Sequence, residues 1–355
     1  KNSIDELLNN LVSEDRYVTD MSKRELIERG AEKVIPLLDK WLAKDHKEYT
    51  KLQALWLKAG LNVQDKKLLS SVLTANDGRI RAAGVRIAAL QYFDTPELLS
   101  IFKNTISDKH PVVRLETVNA VRVLQSKEAV EVALHALDQE VDHTINYALI
   151  LTIRKLAEKW IGKTIFNGNI KHLTYAVNAS RDPRALNSLY AAYKEGKIDE
   201  SSQGTILRLI GELGGEPQLT ELFNLALAKD TSIENQKVIL TSLLSSSVSR
   251  GVKPKADLNL LSQLISKPEL KNTVIILAGE WRIKSLIPQI AATAENGDDE
   301  SLKALAKIKG PEAEKVLYSV IEKNMNNKTG VKAVAALASV NMKTAVDYSV
   351  KLFEQ

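Results

Sequence analysis

The residues able to carry chemistry are few and scattered along this chain of 355 residues. Cysteine is absent, which excludes disulfides, thiolate metal sites and a c-type haem attached within the sequence. No two histidines lie three or four residues apart, the spacing that lets one helix hold a zinc ion. We therefore predict no cofactor and no metal site built from sequence-local ligands. The histidines are His46, His110, His135, His143 and His172.

Motifs for nucleotide binding and for nucleophilic catalysis are also missing. The sequence has no Walker loop, no dinucleotide glycine fingerprint and no Gly-x-Ser-x-Gly elbow. The acidic run Asp298-Asp299-Glu300 opens a predicted helix, where carboxylates favour the positive end of the helix dipole. We interpret it as a helix start and predict no catalytic residue, so the chain by itself is not expected to be an enzyme.

One tryptophan suggests a remote alternative. Trp281 follows Glu280 at a predicted helix end, and such a pair could stack on a flipped base in a helical-repeat DNA glycosylase. That chemistry needs a basic stripe for the phosphates. Lysine and arginine total 49 against 44 acidic residues, a net charge of only +5. Nucleic acid is therefore not the expected partner.

The elements that position these residues follow from an internal repeat. The segment Asn76–Ala83 is echoed by Lys109–Glu116, which places Arg81 and Arg114 33 residues apart, and a third copy begins at Asp142. A fixed period of this size is typical of stacked helix pairs. The repeat predicts an all-α fold, a right-handed α-α superhelix of about ten pairs that forms a single array over residues 1–355.

Five residues recur at fixed points of the repeat and are given structural roles. Asp77, Asp108 and Asp142 each precede the second helix of a pair, where a carboxylate can accept hydrogen bonds from first-turn amides. Arg81 and Arg114 lie one turn or more further on. We expect them to bridge to carboxylates of an adjacent repeat and to support the stack.

Two stretches depart from the regular pattern. Residues 161–169, IGKTIFNGN, are predicted to be a loop that holds or replaces a degenerate helix. Residues 246–257, SSVSRGVKPKAD, are predicted to be a basic loop after a helix over Ser232–Ser245. Loops on rigid scaffolds often carry contacts. We predict that Arg250, Lys253 and Lys255 meet an acidic surface of a neighbouring domain.

The repeat starts Asp77–Ala82 and Asp108–Leu115 resemble those of HEAT repeats. A narrower resemblance is to the HEAT region of large secreted bacterial proteins described as membrane-bound dehydrogenases or haem-binding-domain proteins. The segments that are similar to that region are Glu14–Tyr17, Ser22–Gly30, Leu52–Trp56, Asp142–Trp160, Ser249–Pro254 and Leu277–Trp281.

This resemblance implies a middle segment of an extracytoplasmic oxidoreductase. In such proteins a β-propeller usually precedes the HEAT array and a cytochrome-c-like domain with Cys-x-x-Cys-His often follows. The resemblance also implies that second helices line a concave face, but it transfers no catalytic or haem-ligand residue. The chain begins with Lys1, so we expect a processed product or an excised fragment.

The sequence thus favours a non-catalytic HEAT scaffold that binds a protein partner or the flanking domains of its own polypeptide. A free-standing protein- or peptide-binding solenoid in the cytoplasm is the alternative, and a glycosylase is the remote one. No run of 18 apolar residues occurs, so no membrane span is predicted.

Overall fold

Every regular element in the described part of the chain is helical. The computed structural model describes residues 2–44, 47–91, 95–163 and 166–353, and no β-strand occurs within those ranges. His46, and residues 164–165 of the predicted irregular stretch, lie outside these ranges. The chain divides into two compact units, Lys1–Ser180 and Arg181–Gln355. The all-α prediction is confirmed.

The first unit contains twelve α-helices among its described residues. Short 3-10 turns follow α8 at Val121–Leu124, follow α9 at His135–Asp138 and precede α12 at Phe166–Gly168. The helices are α1 Ile4–Asn10, α2 Arg16–Arg29, α3 Ala31–Leu42, α4 Glu48–Gly60, α5 Lys66–Leu73, α6 Gly78–Gln91, α7 Thr95–Thr105, α8 Pro111–Ala120, α9 Lys127–Leu134, α10 His143–Lys155, α11 Ala157–Trp160 and α12 Ile170–Ser180.

The second unit adds ten helices among its described residues. It also contains 3-10 turns at Pro183–Ala185, Leu258–Gln263 and Lys284–Leu286. The helices are α13 Leu186–Lys194, α14 Glu200–Leu213, α15 Glu216–Leu227, α16 Ile233–Arg250, α17 Pro268–Trp281, α18 Ile287–Ala294, α19 Asp299–Ile308, α20 Pro311–Lys323, α21 Lys328–Ala338 and α22 Met342–Phe353.

Within each unit the second helices of successive pairs pack directly on one another. In the first unit the order is α2, α4, α6, α8, α10 and α12, and in the second it is α14, α16, α17, α19 and α21. Each pair therefore contacts mainly its neighbours along the chain, which is how a solenoid extends without one large core.

Helix α10 shows why these segments are helical and why they stack. Its buried residues Ile145, Ala148, Leu149, Thr152 and Ile153 recur at the three- and four-residue spacing of a single helix face. Each fully buried leucine or isoleucine contributes roughly 1.5–3 kcal/mol of transfer free energy. Packing of this face between neighbouring helices, more than helix propensity, therefore holds α10 in place.

The predicted basic loop begins later than the sequence indicates. Helix α16 runs unbroken from Ile233 to Arg250 and ends at Gly251, whose φ of 67° is left-handed. The prediction that residues 246–250 form a loop is therefore wrong. The cause is tertiary: Ser246 is fully buried and Arg250 is bonded to the end of α14, which outweighs the weak helix propensity of the serine run.

The predicted irregular stretch lies between α11 and α12. Its described residues contain only the 3-10 turn Phe166–Gly168, at the point where the first helix of a pair would be expected. Among the helices that the structure describes, none is long and apolar enough to cross a membrane.

Candidate functional site

All three guanidinium nitrogens of Arg81 donate hydrogen bonds within the first unit. Its Nε and Nη2 atoms donate to the two carboxylate oxygens of Asp108, each at 2.7 Å, while Nη1 donates to the carbonyl oxygens of Ala75 and Asn76 at 2.7 and 2.9 Å. The Arg81 side chain is only 9% exposed. It therefore makes the predicted bridge between repeats, with little capacity left for a ligand.

Arg114 occupies the same point of the next repeat but bonds differently. Nη1 donates to the carbonyl oxygens of Asp108 and Lys109, repeating the geometry of Arg81, and Nη2 donates to the carbonyl oxygen of Glu140 at 2.7 Å. The predicted bridge from Arg114 to a carboxylate is wrong. Asp142 is engaged instead as the N-cap of α10, where it accepts the Ile145 amide at 2.8 Å.

The other two aspartates also lie at the starts of second helices. Asp77 accepts the Arg79 amide at 2.8 Å, and hydrogen bonding from the Arg79 side chain and amide lowers the pKa of Asp77 to about 2. Asp108 accepts the amide of His110, which is itself the N-cap of α8, so Asp108 lies two residues before the N-cap and does not accept from the first-turn amides as predicted. Burial raises the pKa of Asp108, but its bonds from Arg81 and His110 bring the pKa below its ordinary value.

The three predicted contact residues fall into two groups. Arg250 donates from Nη2 to the Gly214 carbonyl oxygen at 2.8 Å and from Nη1 to that of Leu213 at 3.3 Å, so it caps the C-terminal end of α14. Burial lowers the pKa of its guanidinium. Lys253 and Lys255 are exposed in the loop that follows. The structure therefore leaves only the two lysines accessible.

A groove in the second unit is the best-formed candidate binding surface. It encloses about 740 Å³ between α17, α19 and α21. Its floor is built from small or apolar side chains. Gly279 allows α17 to lie close to α19, since a Cβ atom at this position would be only 2.8 Å from the Cα of Ala304. The floor residues that line the groove are Gly279, Leu302, Ala306, Ala335 and Ala336.

The rim of this groove carries an excess of positive charge. Five basic and two acidic side chains line it, together with Ser339: Arg282, Lys303, Lys307, Lys309 and Lys332 against Glu280 and Asp299. Both acidic groups are already paired. Lys307 bonds Glu280, and Lys332 lies 2.6 Å from Asp299, a bond that lowers the pKa of that carboxyl group. Lys303 pairs with Glu300 outside the lining.

Arg282 and Lys309 have no ion-pair partner among the described residues. Both are exposed, and each follows the last residue of a second helix, α17 and α19 respectively. Their φ angles are 57° and 60°, in the region that favours glycine. The equivalent residue after α16 is Gly251. The groove therefore presents two accessible cations on strained backbone.

The sequence did not single out these two residues. Each directly follows a helix, at the position where a C-terminal glycine is expected. A basic residue in place of that glycine is the signal that could have identified them.

The groove combines a basic rim with an apolar floor, an arrangement suited to binding. Its described lining contains no histidine, and its carboxylates are held by lysines. The nearby Trp281 is 7% exposed, donates from Nε1 to Ser247 Oγ at 2.8 Å and packs edge-on against Phe223. It is therefore not available to stack on a base.

Comparison with known proteins supports the fold and nothing finer. No family model matches the sequence. No curated protein matches it either. A crystal structure of a triple mutant of Kap121p is similar with a TM-score of 0.58 at 14% identity, covering 95% of this chain and 46% of that chain. The Kap121p crystal structure gives a TM-score of 0.55 at 14% identity with the same coverage.

This chain thus spans about half the length of these structural relatives. At 14% identity the likeness concerns the fold alone. Together with the helix pairs and their stacked second helices, it shows that the chain has the fold of a HEAT-repeat solenoid.

Proposed function

We propose that the chain is a non-catalytic scaffold that binds an acidic protein segment in the groove between α17, α19 and α21. The observation that carries this proposal is the pair Arg282 and Lys309, two exposed cations without ion-pair partners at the edge of an apolar floor. A segment rich in aspartate and glutamate would pair with these cations while its methylene groups cover the small residues beneath.

The energetics favour a binding role over a purely local one. A cation at a helix C-terminus gains typically 0.3–1 kcal/mol from the helix dipole. A non-glycine residue held at left-handed φ costs on the order of 1–3 kcal/mol. The local gain therefore does not offset the local cost. An external anionic partner would supply the interaction that these two positions lack within the chain.

The test uses a fluorescein-labelled oligo-glutamate peptide and fluorescence anisotropy. The double variant Arg282→Gly and Lys309→Gly removes both charges while keeping a residue that adopts the backbone angles without strain. At low ionic strength we expect its affinity for the peptide to fall about tenfold, since two partly exposed charge pairs contribute together roughly 1.4 kcal/mol.

The matched control is the double variant Lys315→Ala and Lys343→Ala, which removes two exposed lysines from α20 and α22 outside the groove. Its affinity should equal that of the wild type, and a labelled oligo-lysine peptide should not bind. Unchanged affinity in the double variant Arg282→Gly and Lys309→Gly, or equal binding of both peptides, would refute the groove as the binding surface.

The setting of the scaffold is a further part of the proposal. From the sequence resemblance, we propose that the chain is the middle segment of a larger extracytoplasmic dehydrogenase, whose propeller or haem domain would offer the acidic segment. Sequencing the flanking reading frame tests this. A propeller upstream and a Cys-x-x-Cys-His motif downstream are expected. Their absence would favour a free-standing protein-binding solenoid, and the buried Trp281 argues against the glycosylase alternative.

A further inference from the structure

The irregular stretch after α11 brings together three side chains that the sequence holds apart. His135 and Asp138 lie in the 3-10 turn after α9, and His172 lies in the first turn of α12. His135 Nδ1 is 2.8 Å from one oxygen of Asp138, and His172 Nε2 is 3.1 Å from the other. One nitrogen from each histidine and one oxygen of Asp138 all lie within 4.8 Å of one another.

The buried member of this cluster is fixed from several sides. The His172 side chain is 3% exposed, and its ring meets that of His135 edge-on at a centroid distance of 5.2 Å. The side chain of Asn169 accepts the His172 amide at 3.1 Å, so the irregular stretch itself caps α12. Lys171 Nζ donates to the Leu137 carbonyl oxygen at 2.5 Å, which ties α12 to the turn.

The cluster also borders a cavity of about 550 Å³. His135 and His172 line it, together with Glu131 from α9 and Phe166 from the irregular stretch. The carboxylate of Glu131 accepts the Phe166 amide at 3.0 Å. A ligand-sized space therefore adjoins two imidazole groups held by the Asp138 side chain and a carboxylate held by a backbone amide.

We propose that His135, Asp138 and His172 form a binding site for a divalent first-row transition metal ion, for which zinc is the test case. Imidazole nitrogen and carboxylate oxygen are ligands that Zn²⁺ accepts at about 2.0–2.2 Å, which sets neighbouring ligand atoms about 3.4 Å apart in a tetrahedron. Only one Asp138 oxygen would enter this set, and its separation from one histidine nitrogen, 2.8 Å for His135 or 3.1 Å for His172, is already near this value. Small side-chain rotations of the two half-exposed residues, His135 and Asp138, would complete the set.

The position of the site indicates what the metal would do. A bound ion would link the turn after α9 to the start of α12. These two segments flank the place where the first helix of a pair would be expected. Three protein ligands leave a fourth position for water or for a group from the adjoining cavity. The proposal concerns the first unit only and does not depend on the peptide groove of the second.

The test is zinc titration of the full chain by isothermal calorimetry, followed by cobalt substitution. We expect one Zn²⁺ per chain, a melting temperature that rises with zinc, and Co²⁺ d–d absorption bands typical of nitrogen and oxygen ligands. His135→Ala and Asp138→Asn alter half-exposed residues and should still fold. Each should weaken zinc binding more than about 100-fold, because even outer-shell partners of metal ligands are worth 10–100-fold.

The control is His143→Ala, which removes an exposed histidine of α10 outside the cluster and should leave zinc binding unchanged. Circular dichroism of all variants without metal separates lost binding from lost folding. The proposal is overturned if zinc binding is absent or non-saturable, or if His135→Ala and His143→Ala bind zinc with equal affinity.

Discussion

Arginines and lysines have opposite environments in two regions of this molecule. In the first unit, Arg81 uses both edges of its guanidinium within the fold, on Asp108 and on two backbone carbonyls. At the groove of the second unit, Arg282 and Lys309 are exposed and have no ion-pair partner among the described residues. The sign of the charge is the same, but the hydrogen-bonding capacity is used internally in one region and left free in the other.

This difference indicates which basic residues of a solenoid stabilise the fold and which are available to bind a partner. A cation that recurs at a fixed point of the repeat and donates to the next repeat stabilises the stack. A cation that replaces a helix-ending glycine and has no ion-pair partner adds backbone strain that its interaction with the helix dipole does not offset. Removal of a cation of the first kind should therefore lower the free energy of unfolding. Removal of one of the second kind should weaken partner binding and raise the free energy of unfolding.

The largest effect is expected from Arg81→Ala. Removal of one partner from a buried pair leaves the other charge without compensation, at a cost of about 3 kcal/mol. The side chains of Arg81 and Asp108 are 9% and 14% exposed, so solvent screening reduces this cost little. Urea unfolding should show the loss, and hydrogen exchange should show it concentrated in α6 and α8.

Arg79→Ala is the matched control on the same helix. The Arg79 side chain is 81% exposed and, among the described residues, pairs only with Asp77 two positions earlier. Its loss should change the free energy of unfolding by no more than about 0.5 kcal/mol. Equal destabilisation by the two substitutions would contradict the assignment of Arg81 to the repeat stack.

The second effect concerns Arg250→Ala. Loss of the charge-assisted bonds to the carbonyl oxygens of Leu213 and Gly214 should cost about 1.5–3 kcal/mol in urea unfolding. Lys253→Ala, three residues away and exposed, should cost almost nothing. If both substitutions have the same small effect, the capping role of Arg250 is wrong.

Arg250 also shows what the sequence could and could not predict. The repeat period predicted the helix pairs, and the all-α solenoid fold followed. The run of serines around residue 246 indicated a loop, because local propensity is all that a short polar segment reveals. The structure makes it helical, since Ser246 is buried and Arg250 reaches residues of α14 that lie 36 and 37 positions earlier in the chain. Contacts of that range are not visible in a local pattern.

The histidine cluster was missed for the same reason. Spacing along one helix is the pattern that predicts metal ligands, whereas His135 and His172 come from different helix pairs and meet only in the folded chain. The unusual composition of residues 161–169 did mark the place where the array departs from regularity. It could not show which side chains that departure brings together.

A third prediction reverses the sign of the first two. Lys309→Gly should raise the free energy of unfolding by about 0.5–1 kcal/mol, because relief of backbone strain exceeds the lost dipole interaction and the added chain entropy of glycine. Lys307→Gly, the same substitution inside α19, should lower it by about 1 kcal/mol. Thermal unfolding of both variants is the measurement, and a loss of stability in Lys309→Gly would remove the strain argument.

The smallest effect on stability is expected in the loop after α16, where exposed side chains stand on an anchored backbone. Pro254 is buried and the Lys255 amide donates to Thr220 Oγ1 at 2.9 Å, so the backbone is anchored while the two lysine side chains stay exposed. The double variant Lys253→Glu and Lys255→Glu should keep the wild-type free energy of unfolding within about 0.5 kcal/mol, since exposed charges contribute little.

The same double variant should bind the oligo-glutamate peptide more weakly than the wild type at about 0.01 M salt, where the Debye length is about 30 Å. The difference in affinity should disappear near 0.15 M salt, where the Debye length is about 8 Å. The double variant Lys315→Glu and Lys343→Glu, on α20 and α22, makes the same change in net charge at exposed positions outside the loop and is the control. If the control and the loop variant weaken binding equally, the loop acts only through net charge and is not a contact.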